Sequence, residues 1–240
     1  MDVEGSRQES QTFSRGLGVV FDEGLRRHML RVYNYMGLGL VVTGIVAFVV
    51  GNTPALYVPI YSTPLKWIVI FAPLVFVGIL SMRLETLSLR GAQALFFAFC
   101  AVMGLSLASI FVVFTDTSIA RTFFIAAAMF GVTSLYGYTT RSDLSRFGSF
   151  LIMGLFGVVI ASLINLFLGA NALQFAVSVI GIFVFIGLTA WNTQMIKAQY
   201  AEGADPEASH KMAVVGALSL YLDLINIFQL LLYFTGHREE

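Results

Sequence analysis

The sequence predicts an all-α membrane protein with seven transmembrane helices. Of its 240 residues, 58% are hydrophobic and only 12% are charged, whereas about a quarter of the residues in soluble domains are charged. Long stretches without charge recur along the chain. Because a span needs about 20 mostly apolar residues with every backbone group bonded within a helix, composition and segment length both indicate an integral membrane protein.

The charge-free stretches place the seven spans in order along the chain. The first ends at Gly51-Asn52-Thr53-Pro54, and the second contains Pro73, a kink that a membrane helix tolerates. The stretch 147–196 is too long for one helix, so we divide it at Gly169-Ala170-Asn171 into the fifth and sixth spans. The predicted spans are 32–50, 67–82, 92–114, 122–140, the two halves of 147–196, and 212–234.

The distribution of charge predicts the orientation and the limits of the bundle. Most of the 14 Lys and Arg residues fall in the N-terminal tail and in loops on the same side, and positively charged loops stay in the cytoplasm. We expect a polar cytoplasmic tail over 1–28, a seven-helix domain over 29–236 and a short C-terminal tail over 237–240. The tail shows no cleavable signal peptide.

Asp223 is the only charge between Lys211 and Arg238. It lies about 17 Å from either end of the last span. An ionised side chain there costs about 2.5–3.5 kcal/mol, so an intramembrane carboxylate indicates a functional site. Helical spacing places Ser219 and Asn226 on the same face as a supporting polar surface. A structural role, in which a protonated Asp223 sets the helix register by hydrogen bonding, stays open.

Missing residue types exclude several classes of function. The three histidines lie outside the predicted spans, which argues against bis-histidine haem and a serine–histidine protease. No span carries a mid-membrane lysine for a retinal Schiff base, and Asp223 alone cannot form the carboxylate pair of an aspartyl protease. The lone Cys100 allows no intramolecular disulfide, and the balanced charge offers no surface for nucleic acid. We therefore expect no enzymatic activity and no cofactor.

Three segments resemble the Bax inhibitor-1 family, also called the transmembrane Bax inhibitor motif family. They are 31–36 (RVYNYM), 130–144 (FGVTSLYGYTTRSDL) and 217–228 (ALSLYLDLINIF), and their order covers the chain from the first span to the last. The resemblance is to bacterial members, so we expect the bacterial inner membrane. It also implies a last helix surrounded by the others and a calcium leak that responds to pH.

In the family, an aspartate on each of the last two helices forms a proton-sensitive latch. Asp223 matches one of them, but the other position falls in Trp191-Asn192-Thr193-Gln194, where Asn192 replaces the carboxylate. Two carboxylates share a proton and repel when both ionise, whereas Asp with Asn cannot. We expect a latch in which only Asp223 titrates, and a weak calcium transit site at most. Arg83 either turns inward as a counter-charge or extends to the membrane interface.

A second function stays open on the same residues. The protein would then be a non-conducting regulator of stress survival or of a membrane quality-control protease, with the tail 1–28 as the contact. The expected partners are thus the lipid bilayer, calcium ions and another membrane protein.

Overall fold

The computed structural model describes residues 3–83, 87–200 and 205–236, and the side chains of these ranges other than 3–22, 80–83 and 206. This part of the chain is α-helical with no β-strand. The helices are α1 (Val3–Gly51), α2 (Pro54–Tyr61), α3 (Leu65–Arg83), α4 (Leu89–Leu107), α5 (Ile110–Val113), α6 (Asp116–Thr139), α7 (Ser145–Leu168), α8 (Asn171–Gln199) and α9 (Pro206–Thr235).

Six candidate spans in the described residues are long and apolar enough to cross a membrane, namely α1 from Glu23, α4 with α5, α6, α7, α8 and α9. The pair α2 and α3 is bent by 87° and adds a seventh if it forms one span. Pro64 lies in the bend, where it lacks an N–H and disfavours a helical conformation for the residue before it. The predicted all-α membrane class is confirmed, with six or seven spans.

The first helix reaches further into the bundle than the sequence indicated. His28 lies within the candidate span that starts at Glu23, and both Leu25 and His28 are only 3% exposed. The His28 ring packs against Tyr200 with 5.5 Å between the ring centroids. The expectation that all three histidines lie outside the spans is therefore wrong for His28, and also for His210, which falls in the candidate span Glu207–Thr235.

The turn between α7 and α8 forms where the sequence predicted a break. Gly169 ends α7 in the left-handed conformation, with φ of 60°, which glycine adopts without steric cost. Asn165 holds the turn, because its Oδ1 accepts from the Ala170 amide at 3.0 Å and its Nδ2 donates to Gln174 Oε1 at 2.9 Å. The predicted division of 147–196 is confirmed.

The last helix is the most buried of the candidate spans. Inside the bundle, 67% of its apolar window is buried, against 11–44% for the other five. It packs against α8, α1, α6 and α4, and it buries Leu220, Tyr221, Ile227 and Leu232 completely. Residues on α9 therefore contact four of the other five candidate spans.

The helices α6 and α8 approach closely at Gly137. A Cβ atom on Gly137 would collide with the backbone carbonyl oxygen of Ala190. Small residues allow such approach in membranes, where packing rather than the hydrophobic effect drives helix association. This contact sets α6 beside the polar segment of α8 that follows Ala190.

We expect Gly137→Ala to lower the free energy of unfolding by about 1–3 kcal/mol, since the added methyl overpacks the α6–α8 contact. Gly131→Ala is the matched control, because it lies on the same helix and a Cβ there meets nothing within 4 Å. Both variants share the gain in helix propensity, so their difference measures the collision. The measurement is thermal unfolding in one detergent, and equal melting temperatures would contradict the packing.

Candidate functional site

Asp223 lies in the interior of the bundle and is 3% exposed. Its Oδ2 accepts a hydrogen bond from Asn192 Nδ2 at 2.8 Å. Among the described residues no other side chain bonds to this carboxylate, so Oδ1 has no partner there. The structure thus brings together the two residues that the sequence analysis assigned to a latch.

The pair contains one titratable group, and this sets what it can do chemically. An ionised Asp223 accepts a hydrogen bond from the Asn192 amide nitrogen, which is the arrangement in the structure. A protonated Asp223 can instead donate its O–H to the amide oxygen of Asn192 after the side-chain amide flips. The contact is therefore compatible with both protonation states, unlike a pair of ionised carboxylates, which repel.

Three consecutive residues of α8 contact three different partners. Asn192 contacts α9, while Thr193 Oγ1 lies 2.9 Å from Ser134 Oγ on α6. Gln194 bonds through both ends of its amide to the backbone of the loop 140–144, each at 2.8 Å. Because successive residues of a helix point about 100° apart, this short segment joins α9, α6 and the α6–α7 loop.

A chain of hydroxyl groups crosses α1, α6 and α8. Thr193 donates its single proton to Thr189 O at 2.7 Å, so Ser134 donates to Thr193, and Tyr33 donates to Ser134 at 2.6 Å. Tyr33 and Ser134 also border a cavity of about 620 Å³ whose edge carries Arg26. The chain thus runs from this cavity to the residue next to Asn192.

Sequence reasoning missed the roles of Tyr33 and Ser134. In the sequence, each appears only as a residue with a hydroxyl group inside a charge-free span. Residues whose hydroxyl bonds only to its own helix, such as Thr133, look the same. Tyr33 and Ser134 differ from such residues only in that their hydroxyl groups bond between the helices α1, α6 and α8.

A second hydroxyl pair joins α9 to α1 two residues before Asp223. Tyr221 is completely buried, and its OH lies 2.6 Å from Thr43 Oγ1. The Thr43 hydroxyl lies 2.9 Å from the carbonyl oxygens of both Gly39 and Cys100, so its proton goes to them and Tyr221 is the donor to Thr43. This bond positions the turn of α9 that carries Asp223.

The side chains of Ser219 and Asn226 form no hydrogen bond with Asp223. Ser219 and Asn226 donate to carbonyl groups one turn earlier in α9, at 3.3 and 2.7 Å. Their role as a supporting polar surface stays a prediction. Arg83 is the last residue of α3, and its side chain lies outside the described part, so its proposed inward turn also stays a prediction.

The described residues contain no group of three or more His, Cys, Asp or Glu side chains that could hold a metal ion. The latch itself offers oxygens from one carboxylate and one amide. Calcium takes six to eight oxygen ligands, so these two side chains alone are too few for a tight calcium site.

The fold and the buried carboxylate define a helical integral membrane protein with a polar contact inside its bundle. Residues 25–240 match the family described as Inhibitor of apoptosis-promoting Bax1. Inner membrane protein YbhL of Escherichia coli is 44% identical over 218 residues, which cover 90% of this chain and 93% of that protein. Uncharacterized protein RP147 of Rickettsia prowazekii is 46% identical over 220 residues, covering 92% of this chain and 93% of its own. The chain therefore belongs to the Bax inhibitor family.

We expect the hydrogen bond between Ser134 and Thr193 to stabilise the bundle by about 0.6 kcal/mol, the average for such bonds in membranes. A double-mutant cycle of Ser134→Ala and Thr193→Val measures this coupling by reversible unfolding in mixed micelles. Thr133→Val in place of Thr193→Val is the control, because Thr133 donates only to Met129 O of its own helix. Additive effects of Ser134→Ala and Thr193→Val would contradict the bond.

Proposed function

We propose that this Bax inhibitor family member is a passive calcium leak channel, which the contact between Asn192 and Asp223 holds closed. The observation that carries the proposal is the 2.8 Å hydrogen bond that joins α8 to α9 in the interior of the bundle. A leak needs no catalytic group and no cofactor, and calcium is the cargo. The expectation of a calcium leak comes from the family. The contact between α8 and α9 is the point at which the proposed leak is closed.

The position of α9 supports a gate at this point. Its apolar window is 67% buried, and it packs against four other helices. In the proposed arrangement it is the central helix of seven, and movement of α8 away from it exposes both oxygens of Asp223 to a passing ion. Arg83, at the end of α3, is the proposed counter-charge of the open state.

The Asn192 substitution changes the expected response to pH. Since Asp223 can bond to Asn192 in either protonation state, a change of pH does not force the pair apart. A pair of carboxylates would separate when both ionise. We therefore propose a leak whose dependence on pH is weaker than that of a two-carboxylate latch.

The proposed location is the bacterial inner membrane, with the N-terminus in the cytoplasm. The relative from Escherichia coli is called an inner membrane protein and is 44% identical over nearly the whole chain. The excess of Lys and Arg in the N-terminal tail and the loops on its side supports the orientation.

We expect purified protein in liposomes to pass calcium with little dependence on pH, and Asn192→Asp to make that dependence steep. Flux through the variant should rise as the pH rises, because repulsion between two ionised carboxylates separates α8 from α9. Asn52→Asp is the matched control, since it makes the same change at an exposed side chain that bonds only to Phe48 O of α1. A calcium-sensitive dye inside the vesicles reports the flux.

Asp223→Asn completes the series, because it removes the charge and keeps the shape. Changed flux in this variant supports the latch. Vesicles that pass no calcium at any pH would contradict the channel, and equal pH profiles for Asn192→Asp and Asn52→Asp would contradict the latch.

A second candidate function is that of a non-conducting regulator of stress survival or of a membrane-anchored protease. The observation that favours it is the length of α1, whose backbone is helical from Val3 although the charge-free stretch predicts a span only over 32–50. A helix that extends beyond the span offers a contact surface without any pore.

We expect the regulator, if this function holds, to copurify with a membrane-anchored protease, and removal of residues 2–22 to abolish the copurification. The deletion ends before Glu23, so the bundle should keep its melting temperature. Copurification that persists after the deletion would exclude this segment as the contact.

A further inference from the structure

A cavity of about 350 Å³ lies where α6 begins and α9 ends. Thr235, the last residue of α9, borders it, which places the cavity about 18 Å along α9 from Asp223. It is therefore separate from the candidate latch. Its polar lining residues are Thr115, Thr117, Ser118, Arg121, Thr122 and Thr235.

Arg121 makes the cavity electropositive. Its side chain is exposed and forms no ion pair with a described residue, and no acidic residue is found among the described residues of the lining. Asp116, which stands in the chain between the lining residues Thr115 and Thr117, borders a different, apolar cavity. The N-terminal end of the 24-residue helix α6, capped by Thr115, adds a partial positive charge. The cavity therefore favours an anion over a cation.

Thr122 supplies a hydroxyl donor to the cavity. It is 3% exposed and borders the cavity, and its hydroxyl bonds to no described residue. Other threonines in the spans, Thr43, Thr133, Thr189 and Thr193, each lie within bonding distance of the carbonyl four residues earlier in their helix. A hydroxyl that donates to no described residue can donate to an acceptor in the cavity.

The hydroxyl of Thr115 adds a further donor. Its oxygen accepts from the Ser118 amide at 3.3 Å, so its proton remains available, whereas Thr235 already donates to Leu231 O at 2.9 Å. Hydroxyl donors and a guanidinium around one space match the oxygens of a tetrahedral anion.

We propose that this cavity binds a phosphate oxyanion, with charge-assisted hydrogen bonds from Arg121 and a bond from Thr122 on the buried side. Inorganic phosphate and the head group of an anionic phospholipid share this chemistry. The site does not depend on calcium conduction.

The test uses the full-length protein in an uncharged maltoside detergent. One arm titrates inorganic phosphate by calorimetry, and the other titrates phosphatidylglycerol by native mass spectrometry. Thr122→Val and Arg121→Gln should each weaken binding roughly tenfold or more, as expected for hydrogen bonds to a charged group. Lys66→Gln is the matched control, because Lys66 is another cation outside the cavity, beside the ring of Trp67.

Phosphate binding that both cavity variants weaken and Lys66→Gln leaves unchanged supports a site for the free anion. The same pattern with phosphatidylglycerol alone supports a head-group site. Melting temperatures without ligand verify folding, and if Thr122→Val does not fold, the exposed Arg121→Gln decides. Absence of binding in both arms, or binding that Arg121→Gln weakens no more than Lys66→Gln does, overturns the proposal.

Discussion

The hydrocarbon core of a membrane offers no water to a polar side chain, so the polar groups of the spans have to find partners in the bundle. Within one turn of α9, two polar side chains have such partners. Tyr221 bonds to Thr43 at 2.6 Å, and Asp223 bonds to Asn192 at 2.8 Å. Both bonds form only when α9 lies between α1 and α8, so the two side chains fix the position and rotation of the most buried helix.

The segment of α8 around Asn192 links that helix to the rest of the bundle. Thr193 bonds to Ser134, and Gln194 bonds to the loop 140–144, while Gly137 lets α6 approach Ala190. These contacts hold α8 to α6 independently of Asp223. In the proposed gating, loss of the Asn192–Asp223 bond therefore separates α9 from α8 and α6 together, rather than freeing α8 alone.

An amide in place of a carboxylate keeps a contact and removes a charge. Asn192 has nearly the shape of Asp and can donate or accept, so it preserves the bond between α8 and α9. Electrostatic repulsion between the two helices is lost with the second charge. In the proposed function, the contact between α8 and α9 is thus kept, whereas the expected response to pH depends on the residue at this one position.

The sequence by itself determined the membrane class, the approximate spans and the break at Gly169, because charge-free length and glycine conformation are local properties. It also identified Asp223 as an unusual intramembrane carboxylate. Only the tertiary structure decided the 87° bend between α2 and α3, the burial of His28 and the hydroxyl chain through Tyr33 and Ser134. The physical reason is that hydrogen-bond partners in a membrane bundle come from different helices, and the rotation of each helix depends on packing against the others.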